Sequence, residues 1–163
     1  MRKKSILSLA AVLAMLSTAA YAATATSNFQ VKITIQAQCL AATTNDLDFG
    51  TSGVIAANVD ATSTLQVQCT NSTPYNIGFD KGVNGASVTT RQMKGGPSNE
   101  LISYAMYSDA ARSVNWGNTI GTDTVAATGS GVGQSYTVYG RVPAQTTPAP
   151  GNYTDTITVT VTY

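Results

Sequence analysis

Strict alternation between apolar and polar residues is the feature that most limits what this chain can fold into. It recurs in five separate stretches of five residues or more. Successive side chains of a β-strand point to opposite faces of its sheet, so this pattern is typical of strands with one buried face. The stretches are residues 29–39, 65–69, 75–79, 136–142 and 157–163.

Turn-forming residues separate these stretches, and no amphipathic helical pattern interrupts them. Glycine, proline and asparagine cluster in residues 80–85, 95–97, 129–133 and 143–151. A single short stretch, residues 108–112, is compatible with one helical turn. Strands separated by turns at this spacing predict an all-β sandwich of one domain.

The N-terminal residues have the composition of an export signal. A basic start of Arg2, Lys3 and Lys4 precedes an apolar run from Ile6 to Thr18, and Ala20-Tyr21-Ala22 places small residues where a signal peptidase cleaves. The run is short for a membrane-spanning helix. We therefore expect residues 1–22 to be a signal peptide and the protein to be exported.

The charge of the remaining chain argues against several kinds of partner. After residue 22 there are six cations and eight acids, a net charge of −2. Charges so sparse and so mixed in sign form no basic surface for nucleic acid or anionic lipid. We expect no nucleic-acid partner.

The sequence contains few of the residues on which catalytic sites are usually built. Histidine is absent, which excludes Ser-His-Asp and Cys-His nucleophilic sites and the commonest metal ligand. Asp46 and Asp48 would share one face of an extended segment, but calcium needs more oxygen ligands than they offer. A solvated loop is the simpler interpretation. The sequence predicts a protein that is not an enzyme, with no metal site and no cofactor.

Two cysteines remain in the exported chain, Cys39 and Cys69. Each has the inward parity of its own alternating stretch, and oxidising compartments favour disulfides. A reactive thiol pair is the alternative, although the two lie far apart and form no CxxC motif. We predict a structural disulfide, which closes a loop of about 30 residues and contributes about 3–4 kcal/mol in the chain-entropy description.

Several short motifs, in order along the chain, resemble the spore coat U domain family, which includes pilin subunits of archaic (Csu-type) chaperone–usher pili. The C-terminal half carries Tyr139-Gly140-Arg141-Val142-Pro143, a Pro/Gln/Thr loop, and Gly151-Asn152-Tyr153-Thr154-Asp155-Thr156 leading into a Thr/Val strand. Further landmarks are Phe49-Gly50, Arg91-Gln92-Met93, Ile102-Ser103-Tyr104, Tyr107-Ser108-Asp109-Ala110, Trp116-Gly117 and the two cysteines. The resemblance covers essentially the whole exported chain.

This resemblance implies an incomplete immunoglobulin-like β-sandwich that is completed by a donor strand. Such pilins lack their final strand, and the N-terminal extension of a neighbouring subunit fills the resulting groove. A periplasmic chaperone supplies the missing strand in transit, and an outer-membrane usher catalyses the exchange. The expected organisation is a signal peptide in residues 1–22, a donor segment in residues 23–37 and the sandwich domain in residues 38–163.

The donor segment is supported by its own pattern of side chains. Strand addition to an open sheet edge uses main-chain hydrogen bonds for affinity and alternate side chains in pockets for specificity. The alternative is that the segment forms the first strand of a complete sandwich. The donor residues are Phe29, Val31, Ile33 and Ile35.

The C-terminal strand is expected to border the groove. The chain stops at Tyr163 while still in the alternating pattern, which is consistent with one strand missing. In the family, the last strand flanks the groove and binds the chaperone. An ordinary core strand would show the same alternation. The residues that take this role by resemblance are Ile157, Val159, Val161 and Tyr163.

The expected function is therefore that of a structural pilin subunit, which polymerises by donor-strand complementation into a surface pilus for adhesion and biofilm formation. Its partners would be identical or related pilins, a periplasmic chaperone and an outer-membrane usher. It would pass through the periplasm and end on the cell surface. One alternative is a spore or cyst coat protein of the same fold. Another is a tip adhesin that binds a surface or a glycan.

Overall fold

The computed structural model describes residues 21–42 and 44–163. Most of the predicted signal peptide, residues 1–20, lies outside the described residues. The chain divides into two units, residues 1–34 and residues 35–163. In the first unit, residues 21–34 form neither helix nor strand.

The second unit contains nine strands in two antiparallel sheets. The larger sheet has the order β1-β2-β7-β5-β4-β8, and the smaller has the order β6-β3-β9. The strands are β1 (Cys39–Ala42), β2 (Val59–Cys69), β3 (Pro74–Phe79), β4 (Arg91–Gly95), β5 (Glu100–Tyr107), β6 (Val125–Thr128), β7 (Gly133–Val142), β8 (Tyr153–Thr154) and β9 (Val159–Thr162). This confirms the all-β prediction.

One hydrophobic core lies between the two sheets, and alternation along the strands builds it. In β2, Leu65, Val67 and Cys69 are buried while the intervening glutamines are exposed. Trp116, in the loop after β5, lies edge-on to Phe79 with 4.7 Å between ring centroids. The buried hydrophobic residues are Ile55, Leu65, Val67, Cys69, Tyr75, Ile77, Phe79, Ile102, Tyr104, Met106, Trp116, Val138 and Val142.

The predicted disulfide is confirmed. Cys39 and Cys69 are bonded with an S–S distance of 2.01 Å. They face each other in the register of β1 and β2. The bond therefore joins the beginning of β1 to the end of the long strand β2.

Three of the five alternating stretches lie in strands as predicted, within β2, β3 and β7. The other two differ. Residues 29–38 form no strand, and β1 begins only at Cys39. The last strand begins at Val159 instead of residue 157, because the N–H of Thr158 is bound by the Asp80 carboxylate and not by a strand partner.

The stretch considered for a helical turn is an irregular turn without a helix. The Asp109 carboxylate accepts hydrogen bonds from the N–H groups of Ser113 and Val114, and Arg112 has a φ of 56°. Side-chain acceptors of this kind favour turns over helix interiors. Across residues 21–42 and 44–163 there is no helix that could span a membrane.

Candidate functional site

An open groove of about 510 Å³ lies between residues 44–49 and residues 153–159. Its floor consists of core side chains from both sheets, among them Phe79 of β3, Met106 of β5 and Val138 of β7. The groove therefore reaches down to the hydrophobic core, although these three floor side chains are themselves almost fully buried.

The first wall of the groove is an extended segment, residues 44–49, which belongs to no strand. It is fastened to β2 at Asn45, whose N–H donates to the Thr64 carbonyl at 3.2 Å and whose carbonyl accepts from Ser63 Oγ at 2.6 Å. Leu47 and Phe49 are half-buried and pack against the core, whereas Asp46 and Asp48 between them are exposed.

The second wall consists of residues 153–159. Ile157 and Val159 are half-buried and pack on the core. Asp155 holds the wall in place, because its carboxylate accepts from Tyr104 Oη at 2.7 Å and from the Val83 N–H at 3.0 Å. Burial and this hydrogen bond to Asp155 both raise the pKa of Tyr104, which keeps the phenol protonated as the donor.

Asp80 connects the second wall to the end of β3. Its N–H donates to the Thr158 carbonyl at 3.1 Å, and its carboxylate accepts from the Thr158 N–H at 3.0 Å. Burial alone would raise the pKa of Asp80. The N–H groups of Thr158 and Gly82, together with the charge of Arg91, outweigh burial and hold that pKa below its usual value.

The backbone of the second wall presents an open edge to the groove. Opposite Val159, the N–H of Phe79 donates to the Gly117 carbonyl at 2.9 Å, and the carbonyl of Phe79 accepts from Arg91 Nη2 at 2.9 Å. Both backbone groups of Phe79 thus point away from β9. In an antiparallel pair, the N–H and C=O of Val159 and Val161 must then point away from β3, toward the open side. Among the described residues 35–42 and 44–163, β3 is the only strand paired with β9.

A hydrophobic floor beside an unpaired backbone edge is suited to binding an extended strand. An added strand could place alternate side chains on the floor while its main chain pairs with the edge. Nothing comparable favours a metal. Among the described residues there is no cluster of three or more His, Cys, Asp or Glu, and Asp48 Oδ1 accepts the N–H of Gly50 at 2.7 Å.

The residues predicted to donate a strand are all exposed. The exposed fractions are 87% for Phe29, 86% for Val31, 83% for Ile33 and 70% for Ile35. Four large apolar side chains at alternate positions are therefore exposed to solvent in the isolated chain.

Of the four C-terminal residues predicted to border the groove, two line it and two do not. Ile157 and Val159 line the groove. Val161 is half-buried on the edge strand β9, and Tyr163 is 59% exposed beyond its end.

The wall of residues 44–49 was missed by the sequence-based reasoning. Its signal is short: Leu47 and Phe49 alternate with Asp46 and Asp48, which were considered only as a weak metal pair. Of the floor residues, Phe79 and Val138 lie in predicted alternating stretches, whereas Met106 of β5 does not. Their place at the bottom of a groove depends on the arrangement of both sheets.

The two sheets, the open edge and the groove define the class as an immunoglobulin-like sandwich of the kind found in chaperone–usher pilus subunits. The Spore Coat Protein U domain family matches residues 25–160. The chain therefore belongs to the spore coat protein U domain family.

Two relatives agree with this assignment. Protein U of Myxococcus xanthus is 34% identical over 158 residues, covering 88% of each chain. A chain in the crystal structure of a chaperone–tip adhesion subunit pre-assembly complex, from the archaic chaperone-usher Csu pili of Acinetobacter baumannii, is 26% identical with a TM-score of 0.58. That match covers 80% of the present chain but only 40% of the other. Family and fold are those of structural pilus and coat proteins.

Proposed function

We propose that this protein is a fibre-forming pilin subunit that polymerises by donor-strand complementation. Residues 23–37 of one subunit would occupy the groove of the next, with Phe29, Val31, Ile33 and Ile35 on its floor. The observation that carries the proposal is the groove itself, in which core residues and an unpaired strand edge lie side by side.

The energetics favour this pairing. Each large apolar side chain contributes about 1.5–3 kcal/mol when it is buried, so four contribute about 6–12 kcal/mol before ordering costs. Main-chain hydrogen bonds along the edge of β9 would add to this. Insertion would remove both the exposed apolar side chains of the donor segment and the apolar lining of the groove from water.

An unfilled groove needs protection before assembly, which supports a chaperone and an usher as transit partners. Exposed apolar surface next to an unpaired edge is prone to aggregation. A chaperone strand would bind the same edge, at Ile157, Val159, Val161 and Tyr163. Export through the periplasm to a surface pilus, with roles in adhesion and biofilm formation, completes the proposal.

Two other destinations are compatible with the same fold. The similarity to Protein U favours a coat layer as the second candidate. The similarity to a complex containing a tip adhesion subunit makes a tip role the third candidate. A subunit at the end of a fibre accepts a strand without having to donate one, so the exposed donor pattern favours a position within the fibre.

The test is a pair of asparagine substitutions that differ only in parity. In Ile33→Asn, an amide replaces a side chain destined for the groove floor, where burial without a partner costs several kcal/mol. In Thr34→Asn, the same amide points outward and should be harmless. We expect normal periplasmic levels of both subunits, normal fibres from Thr34→Asn, and short or absent fibres from Ile33→Asn, measured by immunoblot and electron microscopy.

Two results would contradict the donor role. If Ile33→Asn subunits are degraded before assembly, the segment belongs to the subunit's own core. If their fibres are normal, residues 29–35 do not fill the groove.

A further inference from the structure

The donor segment and the first wall of the groove have matching alternation. In the donor, Lys32 lies between Val31 and Ile33. In the wall, Asp46 and Asp48 are exposed on either side of half-buried Leu47. If the donor places Val31 and Ile33 on the floor beside this wall, Lys32 comes to the same outer face as the two aspartates.

The charges on that outer face are complementary. Lys32 is the only charged residue in residues 23–37. In the described part of the chain, the ion pairs involve Asp60 and not Asp46 or Asp48. The exposed residues on the outer face of the second wall are threonines, Thr154, Thr156 and Thr158. The carboxylates at that wall, Asp155 and Asp80, are half-buried and already accept hydrogen bonds. A cation on the outer face of the donor is therefore attracted more strongly to the first wall.

We propose that Lys32 of one copy pairs with Asp46 or Asp48 of the next copy of this same chain, and that this contact restricts the register of the inserted strand. The inference rests on the proposed function and names its partner, a second identical subunit. Directly opposite residues on neighbouring strands have Cβ atoms about 4.5–5.5 Å apart, a distance that lysine and aspartate side chains span easily.

The register of the inserted strand needs a charged contact because the alternation of apolar side chains is compatible with more than one register. A slip of one residue would turn all four apolar side chains outward and is excluded by their burial. A slip of two residues keeps them inward but moves Lys32 by about 6.6 Å along the wall. Asp46 and Asp48 are two residues apart as well, so Lys32 meets one of the two carboxylates in either of two registers and loses both when the strand is displaced further. The charges thus restrict the inserted strand to these two registers, a restriction that the hydrophobic side chains alone do not provide.

Charge reversal and its rescue test the pairing in full-length chains. Lys32→Glu places a third carboxylate beside two others, so we expect fibre assembly to slow about threefold to tenfold at low salt and the difference to shrink at high salt. Combining Lys32→Glu with Asp46→Lys and Asp48→Lys should restore the rate. Lys94→Glu is the matched control, because it changes the same charge at an exposed residue that does not line the groove. Turbidity and electron microscopy at two salt concentrations measure the effect.

Cross-linking tests directly whether Lys32 lies beside the first wall. Chains carrying Lys32→Cys are mixed with chains carrying Asp48→Cys, assembled and oxidised, and intermolecular dimers are counted on a non-reducing gel. We expect dimers from this pair and few from Lys32→Cys with Lys94→Cys. Equal cross-linking in both mixtures, or a Lys32→Glu variant that assembles as Lys94→Glu does, would overturn the inference. Failure of the donor role itself is distinguished by Ile33→Asn, which would then leave fibres normal.

Discussion

Arg91 shows how much a single residue can connect in this fold. It is fully buried at the start of β4. Its Nε donates to the Asp80 carbonyl at 2.8 Å, and its Nη2 donates to the carbonyls of Phe79 and Trp116 at 2.9 and 2.8 Å. One planar guanidinium thus joins the end of β3, the start of β4 and the loop after β5.

Arg91→Lys should destabilise the domain although it keeps the charge. An ammonium group is a compact donor on a flexible stem and cannot reproduce the fork that reaches three carbonyls. Leaving buried carbonyls unsatisfied costs about 1–3 kcal/mol each, so we expect a loss of about 3 kcal/mol. Urea unfolding should be measured on a self-complemented chain, in which residues 23–37 are moved behind Tyr163 through a flexible linker. Lys94→Arg, an exposed change in the same strand, should leave the midpoint unchanged.

The sequence alone could not predict this role. Arg91 stands in a polar stretch between Thr90 and Gln92 and has the pattern of a surface charge. Its acceptors come from residues 79, 80 and 116, which approach only after both sheets have formed. Resemblance to the family pointed to the position, but not to the carbonyls that it binds.

At the scale of elements, the shape of the first wall depends on a glycine in β7. Gly140 has the inward parity of Val138 and Val142 and lies under the wall. A Cβ at this position would lie 2.7 Å from Leu47 Cδ2 and 2.9 Å from Phe49 Cζ. A glycine inside a strand often marks such a close approach.

Gly140→Ala should therefore impair strand uptake more than folding. The atoms it meets are the ends of flexible side chains, so Leu47 and Phe49 can shift at small cost, but the groove that they line changes shape. We expect fibre yield to fall several-fold, while the free energy of unfolding of the self-complemented chain, measured in urea, falls by about 1 kcal/mol or less. Gly133→Ala, at the other end of β7 against the Gln66 side chain, is the control and should leave fibre yield unchanged. Equal fibre yields from the two variants would contradict this role for Gly140.

Alternation predicted β2, β3 and β7 because the large apolar residues of each strand occupy one face, although only β2 has a cleanly exposed second face. It failed for β5, where Ser103, Ala105 and Tyr107 on the second face are also half-buried and the contrast is weak. It also misplaced the start of β9, since Asp80 competes for the Thr158 N–H from a distant part of the chain. Local sequence patterns thus predict which side chains of a strand face the core. Where a strand begins and ends depends instead on hydrogen-bond partners that are remote in sequence.

For the whole molecule, the decisive property is a groove lined by half-buried apolar side chains beside an unpaired strand edge. A chain lacking residues 23–37 retains the groove of about 510 Å³ and the open edge of β9 but has no strand to supply. We expect it to aggregate or to be degraded when it is produced without a chaperone, whereas the self-complemented chain should be monomeric. Size-exclusion chromatography with light scattering distinguishes the two. A monodisperse, cooperatively unfolding truncated chain would contradict an incomplete sandwich.

The position of the disulfide has a mechanical consequence. Cys39 lies two residues beyond the proposed donor segment and is bonded to Cys69, at the end of the strand that pairs with both β1 and β7. In a stretched fibre, tension arriving through residues 23–37 would pass across the sulfur atoms into the middle of the larger sheet. The disulfide would shield the 30-residue segment between the cysteines, about 100 Å when extended, from tension that arrives through residue 39. After reduction, only the pairing of β1 and β2 and their packing would keep a pulling force from extending that segment in each subunit.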